Sequence, residues 1–152
     1  MDTNAHTASL RTQLLIHADV VRVFEAWTQP QHLQNWWGPK GVRCIGAEVD
    51  LREGGRYRIG NRLPDGAVLW IVGEFELVQA PQRLVYSWRL DPASEPPERV
   101  TVTFDPRGNA TLVSVLHERI ATVPLRGMHE KGWEVCLAGL AQYLESSATS
   151  AE

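Results

Sequence analysis

Few residues in this chain have both the type and the setting for chemistry, and His117 heads them. In Thr111, Val113, Val115 and His117 the alternation places the imidazole on the same side as two valines. It therefore faces a core and could move a proton there if a carboxylate stood near. No acid sits at an obvious relay spacing, and a core histidine with one satisfied nitrogen explains the pattern without catalysis. Glu74, with Asp50 and Arg52, offers acid–base or anion-binding groups, but Phe75 takes the inward parity of Gly73-Glu74-Phe75-Glu76 and leaves Glu74 on the solvated face. His117 and Glu74 are thus weak catalytic candidates, with Tyr57 or Tyr86 as the hydrogen-bond donor of such a site. His32 and His129 read as surface residues on helices, and His6 and His17 lie near the start of the chain.

Other catalytic patterns are missing. Ser9, Ser87 and Ser114 lack a nucleophile-elbow context. No HExxH or CxxC spacing marks a metal, so the expected metal and cofactor complement is none. Gly54-Gly55 lies between two strands rather than ahead of a helix, which makes it hairpin chemistry and not a phosphate cradle. Cys44 and Cys136 read as two buried thiols.

The aromatic residues carry a stronger signal. The six tryptophans are a heavy load for 152 residues, and a buried indole N–H needs a partner. Strand and helix parities point Trp37, Tyr57, Ile59, Ile71, Phe75, Tyr86, Trp88, His117, Met128 and Trp133 toward one interior, an apolar wall with a few polar tips, as ligand sites have. Trp36, Trp37 and Trp133 would serve equally to staple short helices to a long one.

The elements that must position these residues follow from periodicity. Residues 9–17 read as a strand. In the next segment Val20, Val23, Phe24 and Trp27 fall at i, i+3, i+4 and i+7, the stripe of a helix. A second short helix follows, with Thr28 as cap, Pro30 in the first turn and Gln31 closing a capping box, ending at Trp36-Trp37-Gly38-Pro39. Residues 42–51 alternate, with Ile45, Ala47, Val49 and Leu51 inward. Turns at 52–55, 63–66, 80–82 and 105–109 separate further strands, and 91–98 reads as a proline-rich exposed connection. From Pro124 to about Ser147, Met128, Trp133, Cys136, Leu137, Leu140, Tyr143 and Leu144 mark the apolar face of one long helix.

This order predicts an α+β fold, a curved antiparallel sheet of about six to seven strands with two short helices after strand one, wrapped around a C-terminal helix in two layers. One domain spans 1–152, its core at about 9–147, with 1–8 and 148–152 as flexible tails. A formal charge of −3 and a pI near 6.0 leave no basic footprint for nucleic acid, and no apolar run reaches membrane-spanning length. Without a leader-like start, a cytoplasmic location is expected.

The motifs Val23-Phe24-x-Ala26-Trp27-Thr28, Trp36-Trp37-Gly38-Pro39, Asp50-x-Arg52-x-Gly54-Gly55, Gly73-Glu74-Phe75, Pro81-x-Arg83-Leu84-Val85-Tyr86-Ser87-Trp88, Val100-Thr101-Val102-Thr103-Phe104 and Gly132-Trp133 together resemble the activator of heat-shock protein 90 ATPase homologue family. That family lies in the START-like helix-grip superfamily, also called SRPBCC or Bet v-type. The resemblance covers about residues 9–146 and implies the helix-grip fold. Members of the superfamily bind lipids, sterols, polyketides and plant hormones between sheet and helix, and some cyclise or dehydrate polyketides there. The expected function is therefore binding of a small apolar or aromatic ligand. A polyketide cyclase-, aromatase- or dehydratase-like enzyme is the alternative, and a co-chaperone-type interaction module the third reading. The co-chaperone that names the family carries a separate amino-terminal domain that engages the chaperone; no such segment is expected here, and chaperone activation is not the expected role. No nucleic-acid or membrane partner is expected, and a homodimer is left open.

Overall fold

The computed structural model describes residues 7–38, 41–91 and 97–150. The chain runs β1 (Ala8–Ile16), α1 (Val20–Thr28), α2 (Pro30–Trp36), β2 (Arg43–Val49), β3 (Arg56–Arg62), β4 (Val68–Gln79), β5 (Arg83–Asp91), β6 (Glu98–Arg107), β7 (Ala110–Ile120) and α3 (Val123–Ser150). The strands form one curved antiparallel sheet in the order β1-β7-β6-β5-β4-β3-β2. All neighbours from β2 to β7 follow in sequence, and only β1 crosses over to pair with β7. The helix pair α1–α2 fills that crossover, and α3 lies chiefly along β1 with further contacts to β7, α1 and α2. No helix among the described residues is long and apolar enough to cross a membrane.

Local sequence accounts for most of this. Asp19 caps α1 through the Val21 amide at 3.1 Å, and Val23, Phe24, Ala26 and Trp27 bury one face. The expected capping box on α2 does not form. Thr28 ends α1, its Oγ1 donating to the Phe24 carbonyl at 2.9 Å, while Gln29 occupies the cap position without a side-chain capping hydrogen bond, its Oε1 accepting from Gln31 Nε2 instead. A hydroxyl already engaged with its own helix cannot also accept from the next.

The inward set expected of β2 also changes. A register shift between Cys44 and Gly46 puts Cys44 inside and turns Ile45 out to 40% exposure, while Leu51 lies beyond the strand at 38%. One extra residue reverses parity, which alternation alone does not reveal. Of the connection expected at 91–98, residues 92–96 lie outside the described residues, as do Pro39, the tail residues 1–6 and residues 151–152. Glu98, placed in that exposed loop, instead opens β6 and is buried.

Candidate functional site

The space between sheet and helix divides into two unequal parts. At one end Tyr57, Ile59, Phe75 and Tyr86 interlock with Trp27 and Leu84 around a void of only about 20 Å3. Tyr57 meets Tyr86 at 5.1 Å and Phe75 at 5.6 Å between ring centroids. Gly73 makes this possible, because a Cβ there would overlap the Ser87 carbonyl and the Tyr57 ring. The Tyr57 hydroxyl donates to the Ser87 carbonyl at 2.7 Å, and the Trp27 indole donates to Tyr86 Oη at 3.4 Å. Burial pushes both phenols up, so they stay protonated. Four residues of the expected wall are therefore packed core.

At the other end a cleft of about 300 Å3 opens between β3–β5 and the start of α3. Trp37, Ile71, Trp88, Met128 and Trp133 line it, as the sequence placed them, together with His129, Asn61 and a set of leucines. Met128 was expected to be buried on the helix face, yet it is 69% exposed. It lines the cleft from α3. A larger depression of about 570 Å3 lies on the outer sheet face among Glu48, Arg56, Arg58, Glu74 and Arg89. It is lined largely by charged side chains, and Glu74, exposed there, lies on the face opposite the cleft.

The six tryptophans fill different roles. Trp37, Trp88 and Trp133 line the cleft. Trp36 staples α2 to α1 by donating to the Ala26 carbonyl at 2.8 Å, Trp27 stacks on Trp133 at 5.9 Å, and Trp70 lies on the outer face under the Arg58 guanidinium at 3.9 Å.

Behind the cleft wall sits a polar cluster. His117 is fully buried and its Nε2 lies 2.6 Å from Glu98 Oε1. The Trp133 indole donates to His117 Nδ1 at 3.0 Å. An indole N–H can only donate, so Nδ1 must accept, and the imidazole proton resides on Nε2, where it is given to Glu98. Burial lowers the His117 pKa against the opposing pull of Glu98, which keeps the ring neutral. Burial raises the Glu98 carboxyl, but the His117 hydrogen bond and the neighbouring His129 outweigh it and hold the group below its ordinary 4.5. His129, expected on the surface, stacks on His117 at 4.7 Å with its side chain 14% exposed. Its Nε2 is 3.2 Å from the same Glu98 oxygen but is not aligned to bond it, so this contact is coulombic. The Trp88 indole nitrogen, whose ring meets both imidazoles edge-on, is buried without a hydrogen-bond partner.

Glu98, His117 and His129 bring one ligand atom each within 4.8 Å of one another, a donor set that zinc or iron would accept. Two features count against a metal in this arrangement. The imidazole planes are 11° apart and stacked, so their in-plane lone pairs do not converge on one ion. Trp133 also occupies the Nδ1 lone pair of His117, whereas a ligating histidine normally donates its second N–H outward.

Both missed residues had a signal. Glu98 shares the inward parity of Val100, Val102 and Phe104, and the register that sets Val100 opposite His117 puts it on the diagonal. His129 lies one turn before Trp133 on the apolar stripe of α3.

Comparison with known proteins bears on this geometry. Residues 17–145 match the family model described as Activator of Hsp90 ATPase homolog 1-like protein. No curated protein matches the chain. Among solved structures, protein CV1439 from Chromobacterium violaceum is 27% identical, with a TM-score of 0.83 over 90% of this chain and 96% of that one. Protein NE0264 from Nitrosomonas europaea is 22% identical, with 0.80 over 98% and 99%. The AHSA1 protein from Silicibacter pomeroyi is 21% identical, with 0.79 over 92% and 99%. The last two likenesses concern the fold.

Proposed function

The chain belongs to the activator of Hsp90 ATPase homolog 1-like family, whose START-like fold is of a ligand-binding type in general, and on that premise we propose that it binds a small hydrophobic molecule between the sheet and α3. The observation that carries this reading is the cleft of about 300 Å3 walled by Trp37, Trp88 and Trp133. That volume is at the lower end of the ~300–1,000 Å3 typical of ligand pockets, which suits a ring-sized guest. The test is titration with prodan, a polarity-sensitive naphthalene without hydrogen-bond donors. Saturable one-to-one uptake is expected, lost in the cleft-filling variant Leu125→Trp with its circular dichroism unchanged. Uptake that never saturates, or that ignores the filled cleft, would sink the reading.

One observation favours a second reading, an enzyme of the cyclase, aromatase or dehydratase kind. The buried Glu98–His117–His129 cluster beside the cleft is the sort of coupled acid and base that proton-transfer chemistry uses.

A further inference from the structure

His129 lines the cleft with a polar atom that no described residue engages and that is not fully buried. Its Nε2 is held inside beside the Glu98 carboxylate, while its Nδ1 has neither a partner nor full burial. Of the other polar groups of the wall, the Trp88 indole nitrogen also lacks a partner but is buried and not open to a guest, and the rest are occupied. Asn61 accepts from the Trp37 indole and donates to the Ile59 carbonyl, both at 2.9 Å. Burial pushes the Cys136 thiol up to about 12, so it remains protonated.

The electrostatics then restrict the guest. A carboxylate beside Nε2 keeps the His129 proton on that nitrogen, so Nδ1 presents a lone pair. With Glu98 ionised and His117 neutral, the floor carries the negative charge of the carboxylate, which disfavours an anion. Glu98 does not itself line the cleft, so a cation entering this apolar space would find no direct counter-ion. What fits is a neutral molecule that donates one hydrogen bond.

We infer that the cleft takes a small apolar ring compound bearing an acidic hydroxyl, a phenol or an enol, and that His129 accepts first its hydrogen bond and then its proton. The inference rests on the binding reading above. In the transfer the ligand's O–H bond breaks, the electron pair stays on oxygen, and an N–H bond forms at Nδ1. The new imidazolium lies between the ligand oxyanion and the Glu98 carboxylate, so the site exchanges one pairing for another without stranding a charge. His117 stays neutral and acts as a positioning residue, holding Glu98 through Nε2–H while Trp133 fixes its tautomer. Among the described residues, Glu98 of β6 and His117 of β7 are the titratable groups against His129; Trp88 of β5 and Trp133 of α3 add no charge.

The test uses 4-nitrophenol, whose neutral and ionised forms absorb at different wavelengths, alongside prodan. The intact chain should bind nitrophenol one-to-one and lower its apparent pKa, raising the ratio of ionised to neutral form at a given pH by about tenfold, as expected for a hydrogen bond to a charged group. Glu98→Gln should still take up the phenol but lose the ionised form, because the imidazolium has lost its counter-ion. His129→Phe should bind prodan normally and bind nitrophenol at least about tenfold more weakly. If His129→Phe also loses prodan, His129→Gln decides in its place: it can accept a hydrogen bond but no proton, so only the phenol spectrum should remain. An unchanged phenolate spectrum in the variant that decides overturns the inference. Uptake of prodan but not nitrophenol by the intact chain overturns it and leaves the binding reading standing, whereas uptake of neither overturns both.

Discussion

At one end of the interior, Tyr57, Phe75 and Tyr86 meet edge to face and leave almost no space; at the other, Trp37, Trp88 and Trp133 surround a cleft about fifteen times larger than that void, 300 against 20 Å3. The residue types are nearly the same. What differs is what each end has to close on. The packed end receives Trp27 and Leu33 from α1 and α2, while the cleft is covered by Trp37 at the end of α2 and by the first half of α3, where Met128 and Leu125 stand at the rim. Aromatic content therefore marks an interior without saying whether it is filled. The polar groups divide in the same way: Tyr57 and Tyr86 are satisfied locally, whereas the cleft end holds a coupled carboxylate and two imidazoles.

This contrast can be broken by mutation, and the largest effect belongs to the packed end. Phe75→Ala should cost about 3–5 kcal/mol in urea unfolding, since its neighbours are too tightly interlocked to collapse into the gap. A loss below about 1 kcal/mol would show that this end is no better packed than the other. Gly73→Ala, which drives a methyl group into the Ser87 carbonyl and the Tyr57 ring, should cost about 1–3 kcal/mol. His117→Leu should cost a similar 1–3 kcal/mol by leaving the Trp133 N–H and the Glu98 carboxylate without their partner.

Acid should sharpen the comparison. The folded-state pKa of His117 is below 6.5 and that of Glu98 below 4.5. For both groups the unfolded chain binds protons first, so their contributions are complete above those unfolded values. Stability should fall as pH drops below about 6.5 and again below about 4.5. In thermal melts, His117→Leu should flatten the upper part of that fall; an undiminished slope would remove His117 as its source. The smallest effect is at the mouth. Met128→Ala should change stability by no more than about 0.5 kcal/mol, because the side chain is 69% exposed, while prodan affinity weakens measurably.

Much of the fold was legible because local periodicity reports which face of an element is buried. The stripe of α1, the alternation of Leu84, Tyr86 and Trp88, and that of Val113, Val115 and His117 all appear as read. Reading failed where one residue altered the phase, as at the Cys44–Gly46 bulge, and where a hydroxyl had two competing uses, as at Thr28. At the site, periodicity pointed ten residues toward one interior without dividing it, and of these Trp37, Ile71, Trp88, Met128 and Trp133 line the cleft. Glu98 was obscured by the prolines and acids around it, and His129 by the charged residues beside it on α3, although each kept the phase of its apolar neighbours.

The amino-acid sequence by itself determined the order of elements, the buried face of most of them and the presence of an aromatic interior, because each depends on neighbours a few positions apart. Only the tertiary structure decided which part of that interior is solid and which is open, and that a carboxylate from β6 meets imidazoles from β7 and α3. Those outcomes depend on strand register and on where helices end over the sheet, quantities set by packing between distant segments that no local period encodes.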